Sequence, residues 1–118
     1  MKKIYYLSSC STCSRIMKEL AIEKHDFLLQ DIKKEKITEA QLEEMKDLAG
    51  SYGALFSRIS MKYKALGLKD KTLSETDYKN YILEEYTFLL RPTFIIDGEI
   101  FIGNSKKNVV AVSLKLNS

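Results

Sequence analysis

Residues 3–7, Lys3-Ile4-Tyr5-Tyr6-Leu7, form a short β-prone apolar run closed by Ser8 and Ser9. This pattern predicts a buried strand. From Ser11 the period lengthens: Ile16, Met17, Leu20 and Ala21 share one helical face, with Arg15, Lys18, Glu19 and Glu23 largely elsewhere. The helix is expected to end near Lys24-His25, where cations suit the negative end of the dipole. Phe27-Leu28-Leu29 then predicts a second strand, parallel to the first because a helix joins them.

The middle of the chain reads as helical. Thr38-Glu39-Ala40-Gln41 has the form of a capping box, followed by Leu42, Met45, Leu48 and Ala49 at helical spacing. Gly50 and Gly53 interrupt. A short helix is expected from Ser60 to Leu66, ending at Gly67, and another from Ser74, carrying Tyr78, Tyr81 and Ile82 inward. The tyrosines and methionines here read as core. The last third returns to period two: Thr93–Ile96, the pair Asp97-Gly98, then Glu99–Ile102 predict a hairpin with a two-residue turn. Gly103-Asn104-Ser105 leads into a final helix carrying Val109, Val110, Val112 and Leu114.

The 118 residues are 45% hydrophobic and 30% charged, which suits one folded domain, residues 1–118, with a real core. The net charge of +3 comes from lysines spread along the chain, so no nucleic-acid binding is expected. The apolar stretch Ile4–Leu7 is too short for a signal peptide, and no run reaches transmembrane length. The expectation is a cytoplasmic protein without membrane contact, in a compartment where structural disulfides are rare.

That expectation gives meaning to the only two cysteines, Cys10 and Cys13. They form a Cys-x-x-Cys between the first strand and first helix, a spacing that allows cycling between dithiol and disulfide. Cys10, at the helix start, lies near unpaired backbone N–H groups and the positive dipole end, both of which favour its thiolate. Cys13, one turn inside, is expected to be less exposed. Cys10 is therefore assigned as the nucleophile and Cys13 as the thiol that resolves the mixed disulfide. Zinc takes about four ligands, and two cysteines with one histidine do not supply them. Haem attachment needs a histidine where Ser14 stands. No metal site is expected. An inert pair of buried thiols is the bland alternative. His25 reads as a helix-end residue rather than a base.

Sixteen lysines contrast with three arginines, Arg15, Arg58 and Arg91. Planar bidentate donors kept at so few positions suit an oxyanion, carboxylate or sulfenate near Cys10. The alternative is that they are surface charges placed by chance. Pro92, the one proline, directly precedes the third strand; by itself it could be an ordinary trans proline opening that strand.

The order β-α-β, helices, β-β-α is similar to the thioredoxin-like α/β arrangement, a mixed four-stranded sheet with a helical insertion at about 38–88. More closely, the chain resembles the arsenate reductase (ArsC) family of thioredoxin-like proteins, including its Spx/MgsR branch. The likeness spans nearly the whole length. It rests on Ser9-Cys10-Ser11-Thr12-Cys13-Ser14-Arg15, on Leu55-Phe56-Ser57-Arg58 followed by Tyr63-Lys64-Ala65-Leu66-Gly67-Leu68, and on Leu90-Arg91-Pro92 before Ile95-Ile96-Asp97-Gly98.

The resemblance implies a cis Pro92 facing the Cys-x-x-Cys. It implies Cys10 as the nucleophile that attacks arsenate, oxyanion-binding roles for Arg58 and Arg91, and Arg15 as the arginine after the cysteine loop. No tightly bound cofactor is implied; glutathione, or a thioredoxin or glutaredoxin, would donate electrons. Two departures weaken arsenate binding and thiolate activation: no arginine follows Arg91, and Tyr6 stands where the family's enzymes have a histidine. Cys13 shifts the chemistry toward an internal disulfide. Three readings follow. The first is a thiol–disulfide oxidoreductase reducing a small oxyanion or a thiol/disulfide substrate. The second is an Spx/MgsR-like redox-sensing regulator that binds the RNA polymerase α-subunit. The third is a non-catalytic binding domain.

Overall fold

In the computed structural model all 118 residues are described. The chain forms two compact units: residues 1–35 with 91–118, and residues 36–90.

The first unit is built on four strands: β1 (Lys2–Tyr6), β2 (Phe27–Asp31), β3 (Thr93–Ile96) and β4 (Glu99–Ile102). Their order in the sheet is β2-β1-β3-β4, with β2 parallel to β1 and the other two pairs antiparallel. This is the mixed four-stranded sheet expected. The parallel pair needs a crossover, and α1 (Ser11–Glu19) supplies it. The β3–β4 turn is tight because Asp97 (φ 48°) and Gly98 (φ 86°) both take left-handed conformations, as a primed hairpin turn requires.

Alternation along β1 and β3 sorts the side chains. Ile4, Phe94 and Ile96 face Ile16 and Leu20 of α1, Ile22, and Val112 of α5 (Lys106–Leu116), and together these form the buried core of this unit. Tyr5, Thr93 and Ile95, at the alternate positions, are buried as well. Each apolar side chain withdrawn from water contributes about 1.5–3 kcal/mol, so this core holds β1 and β3 under α1 and α5.

The second unit carries α2 (Glu39–Ala49), α3 (Met61–Ala65) and α4 (Glu75–Glu84). Capping boxes start α2 at Thr38/Gln41 and α4 at Ser74/Asp77. Its centre is aromatic: Phe56 stacks on Phe88 at 5.1 Å between ring centres and meets Tyr78 at 4.8 Å. Both oxygens of Glu75 accept backbone N–H groups, from Tyr52 at 2.7 Å and Gly53 at 3.0 Å, joining that turn to α4.

Two local expectations need correction. The first helix stops at Glu19 rather than near Lys24-His25, because Ala21 turns left-handed (φ 51°) and starts a separate short 3-10 turn over Ile22–Lys24. On α4 only Ile82 is fully buried, and Tyr78 and Tyr81 are half-buried with their rings against Phe56.

Candidate functional site

The two cysteines occupy the mouth of α1. The β1 strand ends at Tyr6, and Leu7-Ser8-Ser9-Cys10 forms a turn closed by the Cys10 N–H donating to the Leu7 carbonyl at 3.0 Å. Cys10 is the N-cap of α1, with extended backbone angles (φ −91°, ψ 112°). Serine, threonine, aspartate and asparagine are preferred there because their oxygen accepts the first free N–H groups. Cys10 makes no side-chain cap bond of ordinary geometry. Its position nonetheless aims the N–H groups of Thr12 and Cys13 at the sulfur, and a negatively charged sulfur takes up that vacant acceptor role.

Cys10 and Cys13 approach to 3.7 Å, and both are free thiols. Cys10 is half-buried and Cys13 fully buried. Burial alone raises the Cys10 pKa, and it is the largest single influence. The Cys13 N–H, the Cys13 thiol, the Thr12 N–H and the charge of Arg91 together outweigh it, and the pKa lies below the ordinary 9.0. Cys13 moves the other way, to about 11. Its burial dominates, the Leu7 N–H opposes it, and the hydrogen bond and charge of Cys10 push it further up. The pair thus holds one thiol ready to ionise and one that keeps its proton.

Arg91 and Pro92 arrive from the chain segment just before β3. The Arg91–Pro92 peptide bond is cis. The Pro92 carbonyl accepts the Gly103 N–H at 2.9 Å, tying this segment to the end of β4. Arg91 acts on both sulfurs, favouring the charged form of each. The structure therefore brings Cys10, Cys13 and Arg91 into one electrostatic group.

The other two arginines are placed differently. Arg15 is exposed on α1 and pairs with Glu19 at 3.6 Å, one helical turn away. Such an exposed pair contributes little. Arg58 belongs to the second unit. Its guanidinium lies over the rings of Tyr78 and Phe56, at 5.4 Å and 5.7 Å, and Nη2 donates to the Tyr78 hydroxyl at 3.1 Å. An arginine held by two faces and one hydrogen bond presents its remaining N–H groups in a set direction. Exposed Ile59 and Met61 follow it.

His25 ends the 3-10 turn over Ile22–Lys24, as a helix-end residue would. No group of three or more His, Cys, Asp or Glu side chains could hold a metal ion. No helix is long and apolar enough to cross a membrane.

Sequence reasoning passed over Tyr78, reading it as core, although its hydroxyl accepts from Arg58.

The model of the family described as ArsC family matches residues 5–112. No curated protein matches the chain. Among solved structures, an arsenate reductase from Vibrio cholerae superposes with a TM-score of 0.78 at 18% identity, covering 94% of this chain and 96% of that one. A protein described as a possible arsenate reductase from Streptococcus mutans gives 0.73 at 28% identity, covering 90% and 92%. An arsenate reductase related protein from Brucella melitensis gives 0.72 at 19% identity, covering 93% and 92%.

Proposed function

The chain belongs to the ArsC family, and from that premise we propose that it is a thiol–disulfide oxidoreductase in which Cys10 and Cys13 deliver two electrons to an oxyanion or a mixed disulfide. The observation that carries this reading is the pair of thiols 3.7 Å apart with pKa values moved in opposite directions.

The chemistry follows from those shifts. The Cys10 thiolate attacks one sulfur of a substrate disulfide; that S–S bond breaks and the departing sulfur leaves as a thiolate, which takes a proton from solvent. Cys10 is now joined to the substrate. Cys13 loses its proton and attacks the Cys10 sulfur, forming the Cys10–Cys13 disulfide and releasing the second substrate thiolate. The substrate gains two electrons and the protein loses two. With arsenate the first step forms a sulfur–arsenic bond and expels water, and the attack of Cys13 releases arsenite. An external thiol, glutathione or a thioredoxin or glutaredoxin, returns the disulfide to two thiols.

The raised pKa of Cys13 fits its part. While Cys10 is a thiolate, a protonated neighbour stabilises it by donating a hydrogen bond. Once Cys10 is tied up in a mixed disulfide, that negative charge is gone and Cys13 ionises more readily. Arg91, whose charge acts on both sulfurs, is assigned to the anionic end of a substrate, and Arg58, fixed against Tyr78, is a planar donor suited to the same class of ligand.

The test is a paired assay on reduced protein: arsenate reduction and reduction of a glutathione mixed disulfide, each with glutathione or a glutaredoxin as donor, alongside binding of RNA polymerase α-subunit. Turnover of one substrate by wild type and its loss in Cys10→Ser supports the oxidoreductase. Absence of turnover together with α-subunit binding that changes on oxidation overturns it in favour of the redox-sensing regulator.

A further inference from the structure

The strand order leaves β2 at one edge of the sheet. Edge strands are usually blunted by charge, proline or a bulge, because their outer backbone groups are open to a further strand. Phe27-Leu28-Leu29 has none of these, and Leu28 and Leu29 are 57% and 51% exposed. Successive residues of a strand face opposite sides of the sheet. Leu29 pairs with Ile4 and so shares the α1 side, where it lines a cleft of about 580 Å³ with Met17, Ile22 and Phe27.

The backbone of β2 shows which groups are open. The Ile32 N–H donates to the Tyr6 carbonyl at 2.9 Å, toward β1. Backbone groups alternate in direction along a strand, so Leu28 and Gln30 also turn toward β1, while Phe27, Leu29 and Asp31 turn outward. Two of the outward groups are used locally. The Phe27 N–H donates to the His25 carbonyl at 2.8 Å, and the Asp31 carbonyl accepts from Lys34 and Glu35 at 3.1 Å and 2.8 Å. The Phe27 carbonyl, the Leu29 N–H and carbonyl, and the Asp31 N–H remain.

Those remaining groups are self-complementary. We propose that β2 pairs antiparallel with β2 of a second copy of this chain, about a two-fold axis at Leu29, joining two sheets into one. In that register each Leu29 N–H meets the other copy's Leu29 carbonyl, and each Asp31 N–H meets the other copy's Phe27 carbonyl. The groups already used locally are not called on. The two Leu29 side chains lie side by side at the axis, each next to the other copy's cleft, and both leave water.

Charge supports the same orientation. Before β2, the exposed acids Glu23 and Asp26 outweigh Lys24; after it, the exposed Lys33 and Lys34 outweigh Glu35. Antiparallel pairing sets the acidic end of each strand against the basic end of the other, with Asp26 beside the second copy's Lys33. Parallel pairing would set like ends together. The contact is isologous, so it closes at two copies. It is independent of the chemistry assigned to the cysteines.

The experiment is sedimentation equilibrium of the full chain from micromolar to millimolar concentration, with reductant present so that no disulfide links copies. The mass is expected to rise with concentration from the 13.6 kDa of one chain toward twice that value. Leu29→Lys puts like charges on the axis, and Leu29→Pro removes an outward N–H while sparing the bonds to β1. Both are expected to hold the single-chain mass at every concentration, with a cooperative melt showing that they fold. Asp26→Lys and Lys33→Glu are each expected to raise the dissociation constant severalfold, and an equimolar mixture of the two to recover the wild-type value. A wild type that stays at 13.6 kDa throughout overturns the proposal and leaves the edge to a strand of another protein. A dimer that persists in folded Leu29→Lys forms elsewhere on the chain and overturns it equally. If neither Leu29 variant folds, the charge pair decides: no recovery on mixing overturns the antiparallel register.

Discussion

One hydrogen bond between Cys13 and Cys10 moves both their pKa values: the Cys13 thiol donates to the Cys10 sulfur, lowering the pKa of the acceptor and raising that of the donor. The sign of each shift sets a pH window for stability. Cys10 has a folded pKa below its unfolded value, so its contribution is present above about 9 and is lost as pH falls through the folded pKa. Cys13, raised to about 11 from 9.0, contributes fully below 9.0 and loses that contribution as pH rises to about 11. Reduced protein should therefore lose stability between pH 9 and 11 more steeply than Cys13→Ala does. Urea unfolding at several pH values in this range measures the difference; parallel curves for the two proteins would contradict it.

The same asymmetry predicts what happens when resolution is blocked. In Cys13→Ser, Cys10 can still attack a glutathione disulfide, but no second thiol displaces the product. Intact mass spectrometry should show a stable one-to-one glutathione adduct on Cys10. In wild type the adduct should be transient and give way to the internal disulfide. Cys10→Ser should form no adduct, because Cys13 is fully buried and protonated at neutral pH.

Much of this site is legible in the sequence. The Cys-x-x-Cys after an apolar run placed two thiols at a strand-to-helix junction, and the order of strands around Asp97-Gly98 placed Arg91-Pro92 just before β3. These features are local, carried by spacing of two or three residues, and local spacing survives folding. The end of α1 was not legible, because nothing about an alanine announces the left-handed conformation of Ala21. Arg15 and Arg58 looked alike as isolated guanidinium groups. Only folding distinguishes an arginine paired with an exposed glutamate from one laid across two aromatic rings.

Arg91 is the positive charge that acts on both sulfurs. Arg91→Ala should raise the Cys10 pKa and slow alkylation at pH 7 severalfold. Arg91→Lys should retain part of the effect on ionisation, because a point charge remains, while losing the bidentate geometry that favours a planar anion. The two readouts should therefore separate in Arg91→Lys: near-normal alkylation with a raised KM for the anionic substrate. Equal loss of both would mean that a point charge does not sustain the thiolate and that the guanidinium geometry serves ionisation as well.

Arg58 offers a sharper separation, because its orientation depends on a group that can be removed without disturbing the ring beneath it. The Tyr78 hydroxyl accepts from Nη2 at 3.1 Å, while the Tyr78 ring also packs on Phe56 at 4.8 Å. Tyr78→Phe deletes the hydroxyl and keeps the ring, so stability should change by no more than about 1 kcal/mol, the usual net worth of one hydrogen bond. Phe56→Ala, by contrast, removes a side chain that is 1% exposed from the middle of the aromatic cluster and should cost about 3–5 kcal/mol. Under the proposed role, a guanidinium freed from Tyr78 keeps its charge but loses its set direction. Tyr78→Phe should then raise KM for an anionic substrate while leaving Cys10 alkylation at the wild-type rate, since thiolate formation rests on Arg91 and the first turn of α1. Arg58→Ala should raise KM further, again without touching alkylation. Steady-state kinetics beside the alkylation assay distinguish these outcomes: an unchanged KM in both variants would withdraw the substrate role from Arg58.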